Sequence, residues 1–86
     1  MNRESIEQKA LELCAEIYGR DVTELTMDTT FEGDLSPASI LRVSLSANIE
    51  EELDVMIPLA EVSKFKTIGE LVDYIVLKQV NDDEHI

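Results

Sequence analysis

The stretch DLSPASILRV, residues 34–43, holds two serines three residues apart, Ser36 and Ser39, and these hydroxyls are the residues from which chemistry is most readily built. The usual catalytic sets are missing. The lone histidine, His85, lies in the acidic run NDDEHI and reads as a terminal bystander, so no Ser-His-Asp set can form. The lone cysteine, Cys14, gives no zinc spacing, and no glycine-rich phosphate loop is present. The expectation is a protein that is not an enzyme in its own right. Residues 28–39, DTTFEGDLSPAS, mimic a calcium loop through Asp28, Thr30, Glu32 and Gly33. The twelfth position decides against it, because Ser39 stands where a bidentate glutamate is needed. No metal is expected.

Ser36 followed by Pro37 matches a helix N-cap with proline at the first helical position. Ser39 is not needed for that task. In a first helical turn, free N–H groups and the helix dipole favour a negative group, so Ser39 is well placed to carry a phosphodiester.

These serines need elements to hold them. Ile6, Ala10, Leu13, Cys14 and Ile17 recur at helical spacing and predict a first helix over residues 3–18, stopped by Gly19. Cys14 lies on that apolar stripe as a small core residue. Residues 19–36 read as a long connection anchored by Val22, Leu25, Met27, Phe31 and Leu35, and a loop this long must pack down or serve a function. A second helix is expected over 37–53 and one helical turn within 57–62. A last helix is rooted at Thr67, which forms a capping box with Glu70 and buries Ile68, Leu71, Val72 and Ile75. The fold class predicted is all-α: a small four-helix bundle of three longer helices and one short one, spanning residues 1–80, with 81–86 as an unstructured acidic tail.

The chain has 86 residues, 19 acids and 7 bases, for a net charge of −12. That field repels nucleic acids and anionic lipid surfaces and attracts basic protein surfaces. It also opposes self-association, so a monomer is expected. No apolar run is long enough to cross a membrane, the N-terminal residues lack a secretory pattern, and one unpaired cysteine fits a reducing compartment; the expected location is cytoplasmic.

In the second helix, Leu45, Ile49 and Leu53 form the line that faces a core. Val43 and Ala47 follow a different line below Ser39, with Ile40 beside it, and read either as further core or as an exposed apolar seam. Glu50, Glu51, Glu52 and Asp54 crowd the C-terminal end, where acids oppose the dipole. That unfavourable placement suits docking to Arg and Lys on a partner, or a solvated face that ends the helix.

At these residues the chain resembles the acyl carrier protein family. The family stretch Asp-Leu-Gly-Ala-Asp-Ser-Leu has its counterpart in DLSPASI; the glutamate-rich helix end in IEEEL; Ile-Pro in residues 57–58; and the last helix in KTIGELVDYI. The resemblance runs from about residue 5 to residue 78. It implies a right-handed helical bundle whose second helix starts at a modified serine, by position Ser39. A phosphopantetheinyl transferase would move 4′-phosphopantetheine from coenzyme A onto it, and the arm's thiol would carry acyl groups as thioesters. Partners would be acyl-transferring or acyl-ligating enzymes with basic patches, in a fatty-acid, lipid or specialised acyl pathway. An apolar acyl cleft would be lined by Val43, Ala47, Ile57, Val62 and Ile68. Docking would use Ile40, Leu41, Val43, Ala47, Glu50 and Glu51. Arg42, three residues from Ser39, is placed to meet the arm's phosphate.

The departures are local. Ala38 stands where the family has aspartate before the serine. Leu41 and Arg42 replace acidic or small polar residues, Ser44 replaces glutamate, and Leu59 and Ala60 replace acids after Ile-Pro. The front of the docking helix is thus more apolar than is typical, which suggests a specialised carrier with dedicated partners. Two alternatives stand beside it: an aminoacyl carrier, and an unmodified helical interaction module of the same fold, which Ala38 favours.

Overall fold

The computed structural model describes residues 2–84. Its order is α1 (Arg3–Tyr18), a 3₁₀ turn (Val22–Glu24), a π turn (Phe31–Leu35), α2 (Ser39–Leu53), the one-turn α3 (Leu59–Val62) and α4 (Ile68–Glu84). Among the described residues the only extended pairing is an isolated antiparallel bridge between Thr30 and Thr67. This is the all-α bundle of three long helices and one short one that the patterning predicts. His85 lies outside the described residues.

Each end of α1 has a local cause. The Asn2 side chain accepts from Ser5 N at 2.8 Å, and Gly19 takes φ 67°, a left-handed stop that costs glycine little. Ile6, Ala10, Leu13 and Cys14 are buried against α2 and α4, while Ile17 is only half-buried. The core continues through Leu45, Ile49 and Leu53 of α2 and Ile68, Leu71, Val72 and Ile75 of α4.

The long connection is tied to the start of α4. Helix starts leave N–H groups without partners, and here the loop supplies them: Ile68 N donates to Thr29 O at 3.1 Å and Gly69 N to Met27 O at 2.8 Å. Glu70 N donates to Thr67 Oγ1, and Glu70 Oε1 reaches back to Lys66 N, so the expected capping box forms, with its return bond one residue early. Phe31, fully buried at the end of this loop, anchors it in the core.

The start of α2 differs from expectation. Ser36 is not its N-cap, and Pro37 is not its first residue. Ser36 is extended (φ −163°) and closes the π turn, with its N–H on Phe31 O at 2.7 Å. Its hydroxyl accepts from Ala38 N at 3.2 Å, a serine turn that competes with capping. The helix begins at Ser39, with Ala38 in the cap position and no side-chain cap. Downstream the helix ends on Asp54 at φ 55°, a left-handed non-glycine residue.

Candidate functional site

The residues leading to Ser39 form a braced turn. Thr30 and Asp34 bond each other reciprocally: Asp34 N donates to Thr30 Oγ1, and Thr30 N to Asp34 Oδ2, both at 2.9 Å. Arg20 Nη2 then holds Asp34 O at 2.7 Å. Gly33 is required by proximity, since a Cβ there would sit 2.8 Å from Thr30 Oγ1. This brace delivers the chain to the α2 N-terminus in one orientation.

Ser39 is exposed there as the first residue of α2. Unlike the Ser36 hydroxyl, its Oγ makes no hydrogen bond among the described residues. The first turn of α2 holds neither an acid nor a side-chain cap. Its N–H groups and the positive end of the helix dipole are therefore open to a negative group, with no acid in the helix's own first turn to oppose one. A groove of about 500 Å³ opens beside Ser39, lined by Glu32, Pro37, Arg42, Val43, Leu59, Ala60, Val62 and Ser63. An exposed hydroxyl, an uncapped helix start and a part-apolar groove fit a covalently attached, flexible phosphodiester arm.

The residues expected to form an acyl cleft separate into three groups. Val43 and Val62 line this groove, whereas Ala47 lies exposed on the outer face of α2. Ile57 and Ile68 are buried in the core. The seam expected below Ser39 is the exposed alternative, not further core. Ile40 is 68% exposed and Val43 40%, and Ala47, Glu50 and Glu51 continue the same side of the helix to its acidic end. Leu41 is half-buried at its edge.

Arg42 points inward. It is 8% exposed, with Nη1 donating to Val62 O at 2.6 Å and the guanidinium 4.4 Å from the centre of the Phe31 ring. Among the described residues no carboxylate lies within 4.0 Å of it. Nearby, the Tyr18 hydroxyl is buried without a hydrogen-bond partner; burial pushes its pKa up, and the Arg42 charge partly offsets this.

Three structural features around the groove escaped sequence reading. Ser46, also inward, donates from Oγ to Ile57 O at 2.8 Å and ties α2 to the strand of chain before α3. Leu59, 57% exposed, forms the opposite lip of the groove. The interior place of Arg42 was signalled only by its standing three residues before Leu45 and seven before Ile49, against the solvent-facing habit of arginine in a helix. Among the described residues, no three His, Cys, Asp or Glu side chains come together as a metal site, and no helix is long and apolar enough to cross a membrane.

Comparison with known proteins gives the same reading. The family model described as "Phosphopantetheine attachment site" matches residues 8–75. An acyl carrier protein of Rubrobacter xylanophilus is 39% identical over 79 residues, covering 92% of this chain and 98% of the relative. One of Rickettsia bellii is 33% identical over 72 residues, 84% of each chain. The bikaverin polyketide synthase bik1 of Gibberella fujikuroi is 40% identical over 68 residues, 79% of this chain but 3% of that much longer protein. With a family model spanning most of the chain and whole-length relatives of this similarity, the chain belongs to the phosphopantetheine-attachment family of acyl carriers, whose cofactor is a covalently held 4′-phosphopantetheine arm.

Proposed function

We propose that Ser39 is the attachment point and that the protein shuttles acyl intermediates, as thioesters on the arm, between enzymes of a dedicated acyl pathway. The observation that carries this is the exposed, unbonded Ser39 hydroxyl at an uncapped helix start with no acid in the first turn. In the loading step the Ser39 oxygen bonds to the phosphorus that bears the pantetheine of coenzyme A. The pyrophosphate P–O bond breaks, adenosine 3′,5′-bisphosphate leaves, and the hydroxyl proton passes to a base of the transferase. The arm supplies the thiol; this chain supplies the tether point, a surface for the cargo and a surface for partners.

Cargo would lie first in the groove between α2 and α3, with Val43 and Val62 at its walls; Ile57 and Ile68 would be reached only by opening the core, and Ala47 would serve the outer rim. Docking would use Ile40, Leu41, Val43 and Ala47, flanked by Glu50 and Glu51 for basic residues of the transferase and of acyl-transferring enzymes. Exposed apolar residues beside acids are a typical composition for such a contact. A monomeric, cytoplasmic carrier is consistent with the charge of −12. Arg42 would face the arm's phosphate only with the N–H edge left free by Val62. Incubation with coenzyme A and a broad-specificity transferase tests the proposal: one phosphopantetheinyl group should appear, map to the peptide containing Ser39, and vanish in Ser39→Ala. A chain that stays unmodified with several transferases supports the unmodified interaction module instead.

A further inference from the structure

Arg42 lines two adjoining grooves. One, beside Ser39, is described above; the other, of about 400 Å³, continues past Arg42 and Ser63 to Lys64 and Lys66. Arg42, Glu32 and Ser63 are common to both, so they join as one trough leading away from Ser39. Three of the seven basic residues of a chain with net charge −12 therefore line one feature. Lys64 has only a loose exposed contact to Glu61, at 3.7 Å, and Lys66 pairs with no acid among the described residues.

A nine-tenths-buried guanidinium without a counter-ion is an expensive arrangement. One hydrogen bond, one aromatic face and the neighbouring Tyr18 hydroxyl offset part of that cost, but among the described residues no carboxylate does. The trough is the side from which an anion can reach it. We infer that this trough is an anion site for the group tethered at Ser39, with Arg42 as counter-charge on its floor and Lys64 and Lys66 at its far end. The inference rests on Ser39 being the attachment point. The shared chemistry is an oxyanion delivered on a tether, from either the arm's phosphodiester or a carboxylate at the free end of the cargo. The two lysines lie at the end of the trough farther from Ser39 and favour the cargo, an acyl group with a second, terminal carboxylate. Glu32, exposed on the rim, would then act against the cargo, and Glu32→Gln should strengthen the effect.

The test uses full-length, nitrogen-15-labelled protein in four forms: unloaded, and loaded by a transferase from coenzyme A, pentanoyl-coenzyme A or glutaryl-coenzyme A. Intact mass verifies each loading first, so failure of attachment is seen separately from failure of the anion site. The glutaryl form should shift the Arg42 Nε–Hε signal and raise the thermal midpoint by about 4 °C over the pentanoyl form. Changing both exposed lysines, Lys64→Gln with Lys66→Gln, should remove at least about half of that rise without touching the core. An equal Arg42 shift in all loaded forms, relative to unloaded protein, makes the phosphodiester the occupant and keeps the anion site. An Arg42 signal unmoved by verified loading in every form overturns the inference.

Discussion

Ser46→Ala gives a quantitative test of how the groove wall is held. Ser46 is 9% exposed, and its Oγ donates to Ile57 O at 2.8 Å from the middle of α2. Ile57 is itself buried, so the substitution leaves a carbonyl oxygen without its donor in an enclosed place. A buried group left unsatisfied costs roughly 1–3 kcal/mol, and alanine returns about 0.5 kcal/mol through its better helix propensity. The net expected loss is about 1.5 kcal/mol, or a fall of roughly 6–12 °C in thermal midpoint for a domain of this size. Urea denaturation and calorimetry on the unmodified protein read it directly. Ser44→Ala, on the same helix and with no hydroxyl hydrogen bond among the described residues, is the control and should change stability by less than about 0.5 kcal/mol. Equal midpoints for Ser46→Ala and the control would show that the bond to Ile57 does not hold the segment before α3.

Asp54→Gly should stabilise the protein by about 1 kcal/mol, because Asp54 occupies φ 55° where glycine is unstrained, and a higher urea midpoint would show it. Gly33→Ala should cost about 1 kcal/mol by displacing the Thr30 hydroxyl from Asp34 N; circular-dichroism melts check this, and combining it with Thr30→Ala should remove most of the added cost. Burial pushes the Cys14 thiol from its ordinary 9.0 up to about 12, so the folded state keeps a proton that the unfolded chain gives up. Its stabilisation is complete below pH 9 and is lost between pH 9 and about pH 12, at up to ~1.4 kcal/mol per pH unit. Tyr18 acts in the same direction, so Cys14→Ala should flatten the alkaline loss without abolishing it. A pH-independent difference between the two proteins would refute that assignment.

The helices were legible because their signals are periodic. The Ile6–Ala10–Leu13–Cys14 stripe, the Leu45–Ile49–Leu53 line and the Thr67–Glu70 box each repeat or pair at helical spacing, and each lies where the spacing predicts. The start of α2 was not legible, because a serine before a proline fits both an N-cap and a serine turn. The choice was made by the π turn, whose closing bond from Ser36 N to Phe31 O fixes Ser36 as extended chain. Ser39 and Arg42 could be singled out from their positions, but the inward turn of Arg42 and the bond made by Ser46 could not. Both place a polar group inside, and their partners, the carbonyls of Val62 and Ile57, are 20 and 11 residues away in sequence. Main-chain acceptors leave no residue-type signature, so such contacts appear only once the chain is folded. The division of the expected acyl cleft, with Val43 outside and Ile68 in the core, has the same origin: apolar residue type predicts burial but not which side of α3 a residue faces.

The central claim is decided at one oxygen atom. Protein isolated from its native cell, digested and read by mass spectrometry, should carry phosphopantetheine on Ser39 and leave Ser36 free. A bare Ser39 in that material, together with no transfer from coenzyme A in vitro, would contradict it; so would an arm found on Ser36.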